Sequence, residues 1–355
     1  MAQSQAQPQP GSRALDPADL KLREEAQAFP APYEEAEAAP LAELGAAQEV
    51  SSRRQANLWG DAWRRLIRNR LAVVGMVIVA VFTTIAVLAP VIAPYGENET
   101  VFEVLKENNA NGQFVQGDYQ IIGQLKGYEP SWTWPMGLDE NGRDLFSRMM
   151  YGARVSLVVG VLAQVIILVI GVPIGAVAGY YGGQVDNALM RVVDVVYAIP
   201  QLLLVLLIVN WRGPGLTNIF LAIGLVGWVT ETRLVRGQFL SLREQEYVKA
   251  AKVAGANGPY IILRHLLPNS LTPIIVALTF GIPTAIFTEA ALSFVGVGIR
   301  PPQASWGQMV GQGQDLVRTY PHLLLFPTLA IGLTMLGFTF LGDGLRDALD
   351  PKGNE

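Results

Sequence analysis

Six apolar stretches of this chain carry no Asp, Glu, Lys or Arg: Leu71–Gly96, Val155–Val185, Val195–Trp211, Gly213–Thr230, Leu266–Thr288 and Thr319–Gly342. A helix needs about 20 apolar residues to cross the hydrocarbon core of a bilayer, where every backbone polar group must be satisfied within the segment. The pattern therefore predicts an all-α integral membrane protein with six transmembrane helices. The third span is expected to begin near Arg191 and to include Asp194, and the fifth to continue past Glu289 to Gly298.

Charge fixes the expected orientation. Arg53, Arg54, Arg64, Arg65, Arg68 and Arg70 precede the first span, against the single acid Asp61. Such a basic flank stays on the cytoplasmic side. Six crossings then return the C-terminus to the cytoplasm, as in a multi-pass protein of the plasma (inner) membrane. Residues 1–58 are rich in Gln, Pro, Ala and Glu and are expected to form a disordered cytoplasmic tail. A juxtamembrane helix and the first span occupy 59–96, an external loop 97–153, and a five-helix core 154–350. Within the loop, 139–151 places Leu145, Phe146, Met149 and Met150 on one face and Arg143 and Arg148 elsewhere, which suits an interfacial helix. Trp132 and Trp134 read as interface anchors, and Tyr128 belongs to the same loop.

Several function classes drop out. The chain has no Cys, so disulfides, thiol catalysis and thiolate metal sites are absent. His265 and His322 are the only histidines and fall on opposite sides of the expected membrane, so no metal site, catalytic residue or cofactor is expected. No basic surface points to nucleic acid; the expected surroundings are membrane lipid. No Ser–His pairing, HExxH or pair of intramembrane aspartates suggests a membrane enzyme. An ion-coupled secondary transporter would need ionisable midplane groups in repeated halves, and Glu289 is the one convincing mid-span acid.

The cytoplasmic loop 241–268 carries the most information. Glu246–Ala254 holds good helix formers and stops at Gly255, while a second helical stretch, Pro259–Leu266, is expected to end before Pro268. Ala250, Ala251 and Ala254 supply a small-residue face. Ala250-Ala251-x3-Gly255, followed after eleven residues by Leu267-Pro268, resembles the EAA loop of ATP-binding-cassette importer permeases. The wider string EYVKAAKVAGA…RHLLPN is similar to the dipeptide/oligopeptide branch, as are MGLDENGRDLFSRMMYGARVSLVVG, EAALSFVGVGIRPPQASWG and GDGLRDALDP. The last of these resembles the C-type subunit. Lys249 stands where the motif has Glu, and Glu246 lies one turn earlier.

This resemblance implies a type I ABC importer permease fold without catalysis of its own. It implies a coupling helix gripped by a separate ATPase through Glu246, Tyr247, Ala250, Ala251, Gly255, His265 and Pro268. The implied partners are a B-type permease, two ATP-binding subunits and an extracytoplasmic solute-binding protein. The implied cargo is a di- or oligopeptide, with nickel complexes and glutathione-like solutes as alternatives. No G-x-x-x-x-G-K-[ST] loop is present, so ATP must bind elsewhere.

Within the spans, Glu289 fits two roles: lining the pathway to meet a peptide amino group, or holding helices together. Asp194, beside Arg191, reads as an interfacial ion pair or a second pathway acid. Gly171, Gly175 and Gly179 recur every four residues and predict a close helix-packing ridge. Pro173, Pro200, Pro273 and Pro283 interrupt spans two, three and five.

Overall fold

In the computed structural model the described residues are 58–100, 103, 129–130, 132 and 134–349. The expected tail, apart from Leu58, and most of the external loop, Tyr128 included, lie outside them. The amphipathic α1 (Leu58–Arg68) leads into α2 (Arg70–Ile92), whose start is capped by Asn69: its side chain accepts the Leu71 and Ala72 amides at 3.1 and 3.3 Å. Then follow α3 (Leu145–Tyr181), α4 (Gly183–Tyr197), α5 (Gln201–Arg212) and α6 (Leu216–Leu242). The remaining helices are α7 (Glu246–Val253), α8 (Gly258–Phe294), α9 (Trp306–Gly313) and α10 (His322–Leu349).

Five of these, α2, α3, α6, α8 and α10, are long and apolar enough to cross a bilayer individually. Packing supplies the sixth crossing. A Cβ on Gly171 would lie 3.0 Å from the Trp228 carbonyl oxygen, on Gly175 2.6 Å from that of Thr232, and on Gly179 2.6 Å from Phe239 Cβ. Rising numbers on α3 thus meet rising numbers on α6, so the two helices are parallel. The chain must recross the membrane between them, and only α4 and α5 are available. They do so as a pair bent by 78° at Ala198–Pro200.

The seam between α3 and α6 needs those three glycines, because Gly175 faces backbone rather than a yielding side chain. Thr232 Oγ1 donates to the Trp228 and Gly171 carbonyls at 2.9 and 3.3 Å, adding a polar stitch. At the same level as the first turns of α2, Ala62 and Leu66 of α1 and Ala72 of α2 pack with Ala348 at the end of α10. The first and last described helices therefore share one side of the membrane, which requires an even number of crossings.

Two expectations are corrected. The interfacial helix over 139–151 is not a separate element: Asp139–Arg143 is a capped turn, and Leu145 already begins the 37-residue α3. Asp144 caps it, accepting the Ser147 amide at 2.8 Å. Arg148, placed on the polar side of that helix, is fully buried. It pairs with Asp139 at 3.2 Å and donates to Gln308 Oε1 at 3.2 Å and the Glu97 carbonyl at 3.1 Å. Three segments distant in sequence converge on one guanidinium, which satisfies a charge that burial would otherwise penalise.

The second correction concerns Pro268. No break precedes it, and α8 runs through as one rod from Gly258 to Phe294. A wide turn over Ile262–Leu266, where the Leu267 amide reaches back five residues to the Ile262 carbonyl, absorbs the proline that an ordinary turn would resist.

Candidate coupling elbow and pathway face

α7 is held to the bundle by its inner side. Val248 is fully buried among Val235, Phe239, Ile261 and Leu266, with Ala251 half-buried behind it. Its C-terminus closes with two reversed bonds: the Ala256 amide donates to the Ala251 carbonyl and the Gly255 amide to that of Lys252, both at 3.0 Å. This closure needs a left-handed residue, and Gly255 sits at φ +85° with open space around it. Asn257 then caps the next turn, accepting the Tyr260 amide at 3.0 Å. A tight elbow follows, joined directly to the α8 rod.

Among the described residues, nothing packs on the outer side of α7 beyond the approach of the His265 ring to Tyr247. Tyr247, Ala250, Val253 and Ala254 are exposed, Val253 at 90 %. The expected alanine face is therefore split: Ala250 and Ala254 point outward, whereas Ala251 belongs to the inner packing. Val253, not anticipated, is readable in hindsight at helical spacing from Ala250. Glu246 is exposed at the first turn. His265 lies half-buried between two tyrosine rings, 6.3 Å from Tyr247 and 5.6 Å from Tyr260. Burial pushes the Tyr247 phenol above its ordinary value, so it remains a neutral donor. Pro268 is exposed just beyond the wide turn.

The membrane acids separate. Glu289 is fully buried and accepts three hydroxyls: Ser293 at 2.7 Å, Ser305 at 2.8 Å and Ser156 at 3.5 Å. Each serine in turn accepts a backbone amide, from Ile299, Gln308 and Trp306 respectively. Glu289 thus locks the segment bearing α9 onto α3 and α8. It is sealed inside the chain with its hydrogen bonds made internally, the arrangement expected of the structural alternative. Asp194 does form an ion pair, but with Arg233 at 2.7 Å rather than with Arg191. Arg233 also covers the Tyr197 ring at 4.2 Å. Nearby, Arg236 grips both oxygens of Asp186 at 2.5 and 2.7 Å, and together these pairs tie α4 to α6.

A different face has the character expected of a pathway. A cavity of about 290 Å³ lies beside the middle of α8, at the bend between α4 and α5. Its polar lining is Gln164, Gln201, Thr230, Glu231, Thr284 and Thr288. Gln201, Thr230 and Thr284 are exposed on this chain although they stand at membrane depth. Hydrocarbon does not tolerate a polar cluster or a broken helix, so this face meets water or a second protein. Glu231 escaped the sequence reading because a charge there looks like the end of span four, whereas α6 continues to Leu242.

A multi-span bundle with a projecting helical elbow and a polar intramembrane face is the build of a membrane permease subunit. The chain belongs to the family described as binding-protein-dependent transport system inner membrane component, whose model matches residues 171–354. Residues 57–110 match the N-terminal TM domain of oligopeptide transport permease C. The oligopeptide transport system permease protein OppC of Bacillus subtilis (strain 168) is 39% identical over 312 residues, covering 88% of this chain and 95% of the relative. The dipeptide transport system permease protein DppC of the same organism is 44% identical over 293 residues, covering 82% and 85%. The glutathione transport system permease protein GsiD of Pectobacterium atrosepticum is 38% identical over 295 residues, covering 83% and 91%.

Proposed function

We propose that this chain is the C-type permease of an ATP-driven importer of di- and oligopeptides, forming half of the translocation pathway beside a B-type permease. Two ATP-binding subunits grip α7 from the cytosol, and an extracytoplasmic binding protein delivers cargo to the outer face. Both ends of the chain face the cytosol. The chain makes and breaks no bonds; its work is mechanical.

One observation supports this reading most. Among the described residues the outer side of α7 exposes Ala250, Val253 and Ala254, its inner side is pegged into the bundle, and the elbow continues without interruption into α8, which lines the polar cavity. A 37-residue helix is about 55 Å long, enough to carry a displacement from the cytosol across the bilayer. A glutathione-like cargo is the second reading, supported by the GsiD relative.

Val253→Asp tests the docking. The residue is 90 % exposed, so the subunit's own fold gains little from it. Insertion and thermal stability should be unchanged, while the ATP-binding subunits are lost on copurification and uptake falls by about tenfold or more. Intact association and normal uptake would sink the coupling role of α7.

A further inference from the structure

Among the described residues, Glu231 Oε2 and Gln164 Oε1 are both buried without a hydrogen-bond partner, and both residues border the same cavity. Each unpaired atom is an acceptor. Buried acceptors at membrane depth cost free energy until a donor reaches them. At Glu289, by contrast, the bundle satisfies a buried carboxylate from its own residues, through three serines. The arginines that follow on α6 are committed elsewhere, Arg233 to Asp194 and Arg236 to Asp186. The remaining polar lining is neutral, and the lining includes no Lys or Arg.

These acceptors select a ligand by chemistry. Among the described residues no group of three His, Cys, Asp or Glu side chains is placed to hold a metal. One carboxylate and one amide carbonyl suit a primary ammonium, which carries donors and no acceptor. The space of about 290 Å³ is at the low end of ordinary ligand pockets. Gly281 leaves room for the Gln164 amide, which a Cβ there would overlap.

We infer that Glu231 is a cargo-recognition residue: its carboxylate, with Gln164 in the same cavity, receives the terminal ammonium of a peptide in transit. The inference rests on the reading of this chain as half of a peptide pathway. It makes the permease itself, and not only the binding protein, selective for cargo with a free amino terminus.

The chain has no cysteine, so Thr284→Cys places a single reporter in the cavity wall. In the complete transporter in vesicles, during ATP turnover, its modification by cationic and anionic methanethiosulfonates of similar size is read from the mass of the peptide containing position 284. The cationic reagent should react about tenfold faster, and adding Glu231→Gln should bring the two rates together. Uptake gives the second readout, as the ratio of a free-amine dipeptide to its N-acetylated form. Glu231→Gln should lower that ratio about tenfold relative to the unsubstituted transporter, the binding protein's own preference cancelling between the two. A cation preference that persists in Glu231→Gln, or an unchanged uptake ratio, overturns the inference and leaves the pathway reading standing. A reporter that reacts with neither reagent overturns the pathway reading itself.

Discussion

Glu289 on α8 and Glu231 on α6 are both buried within long spans, and their surroundings are opposite. Glu289 has three hydroxyl donors from three separate segments, each hydroxyl also holding a backbone amide. Glu231 borders a cavity and has a buried oxygen with no partner among the described residues. Burial alone does not distinguish a fastening from a receptor. The distinction lies in whether the protein completes the hydrogen bonding itself or leaves it to something that arrives.

Substitutions at the two positions should diverge. Glu289→Ala removes the acceptor of three hydroxyls and opens a void, so the subunit should lose about 3 kcal/mol, at roughly 1 kcal/mol per bond. A thermal-unfolding midpoint in detergent that does not drop would break the contrast. Ser305→Ala should cost less, about 2 kcal/mol, because it deletes one bond to Glu289 and the cap of α9, where Ser305 accepts the Gln308 amide at 3.0 Å. Its loss should loosen α9, read as faster amide exchange over 306–313. Glu231→Gln should change stability by less than about 0.5 kcal/mol, since Oε2 bonds nothing among the described residues. A large loss of stability there would make Glu231 a second fastening.

The charge-free runs mark the spans well, because the cost of charge in hydrocarbon is paid residue by residue and shows directly in composition. The glycines at 171, 175 and 179 likewise stand out by spacing, and they meet α6 at backbone distance. Partnership is another matter. Glu289 is conspicuous as a lone mid-span charge, yet Ser156 lies 133 residues away and only the fold brings it near. Asp194 looks paired with Arg191 by proximity in sequence, but its partner Arg233 is 39 residues on, across a helix–helix contact. α9 is eight residues long, too short for a periodic signal, and is stabilised by burying Trp306 and Met309 rather than by propensity. At the elbow, the stop at Gly255 is legible because its left-handed backbone is local; the inward turn of Ala251 is not, because it depends on where Val248 docks.

That docking has a mechanical corollary. α7 carries one fully buried side chain, so under the proposed coupling its joint to the bundle is a peg in a socket rather than a broad weld. Trimming Val248 would not detach the lever but would introduce backlash: each nucleotide cycle would spend part of its stroke taking up slack before α8 moved. Fuel consumption would then continue while delivery per cycle declined in proportion to the play in the joint.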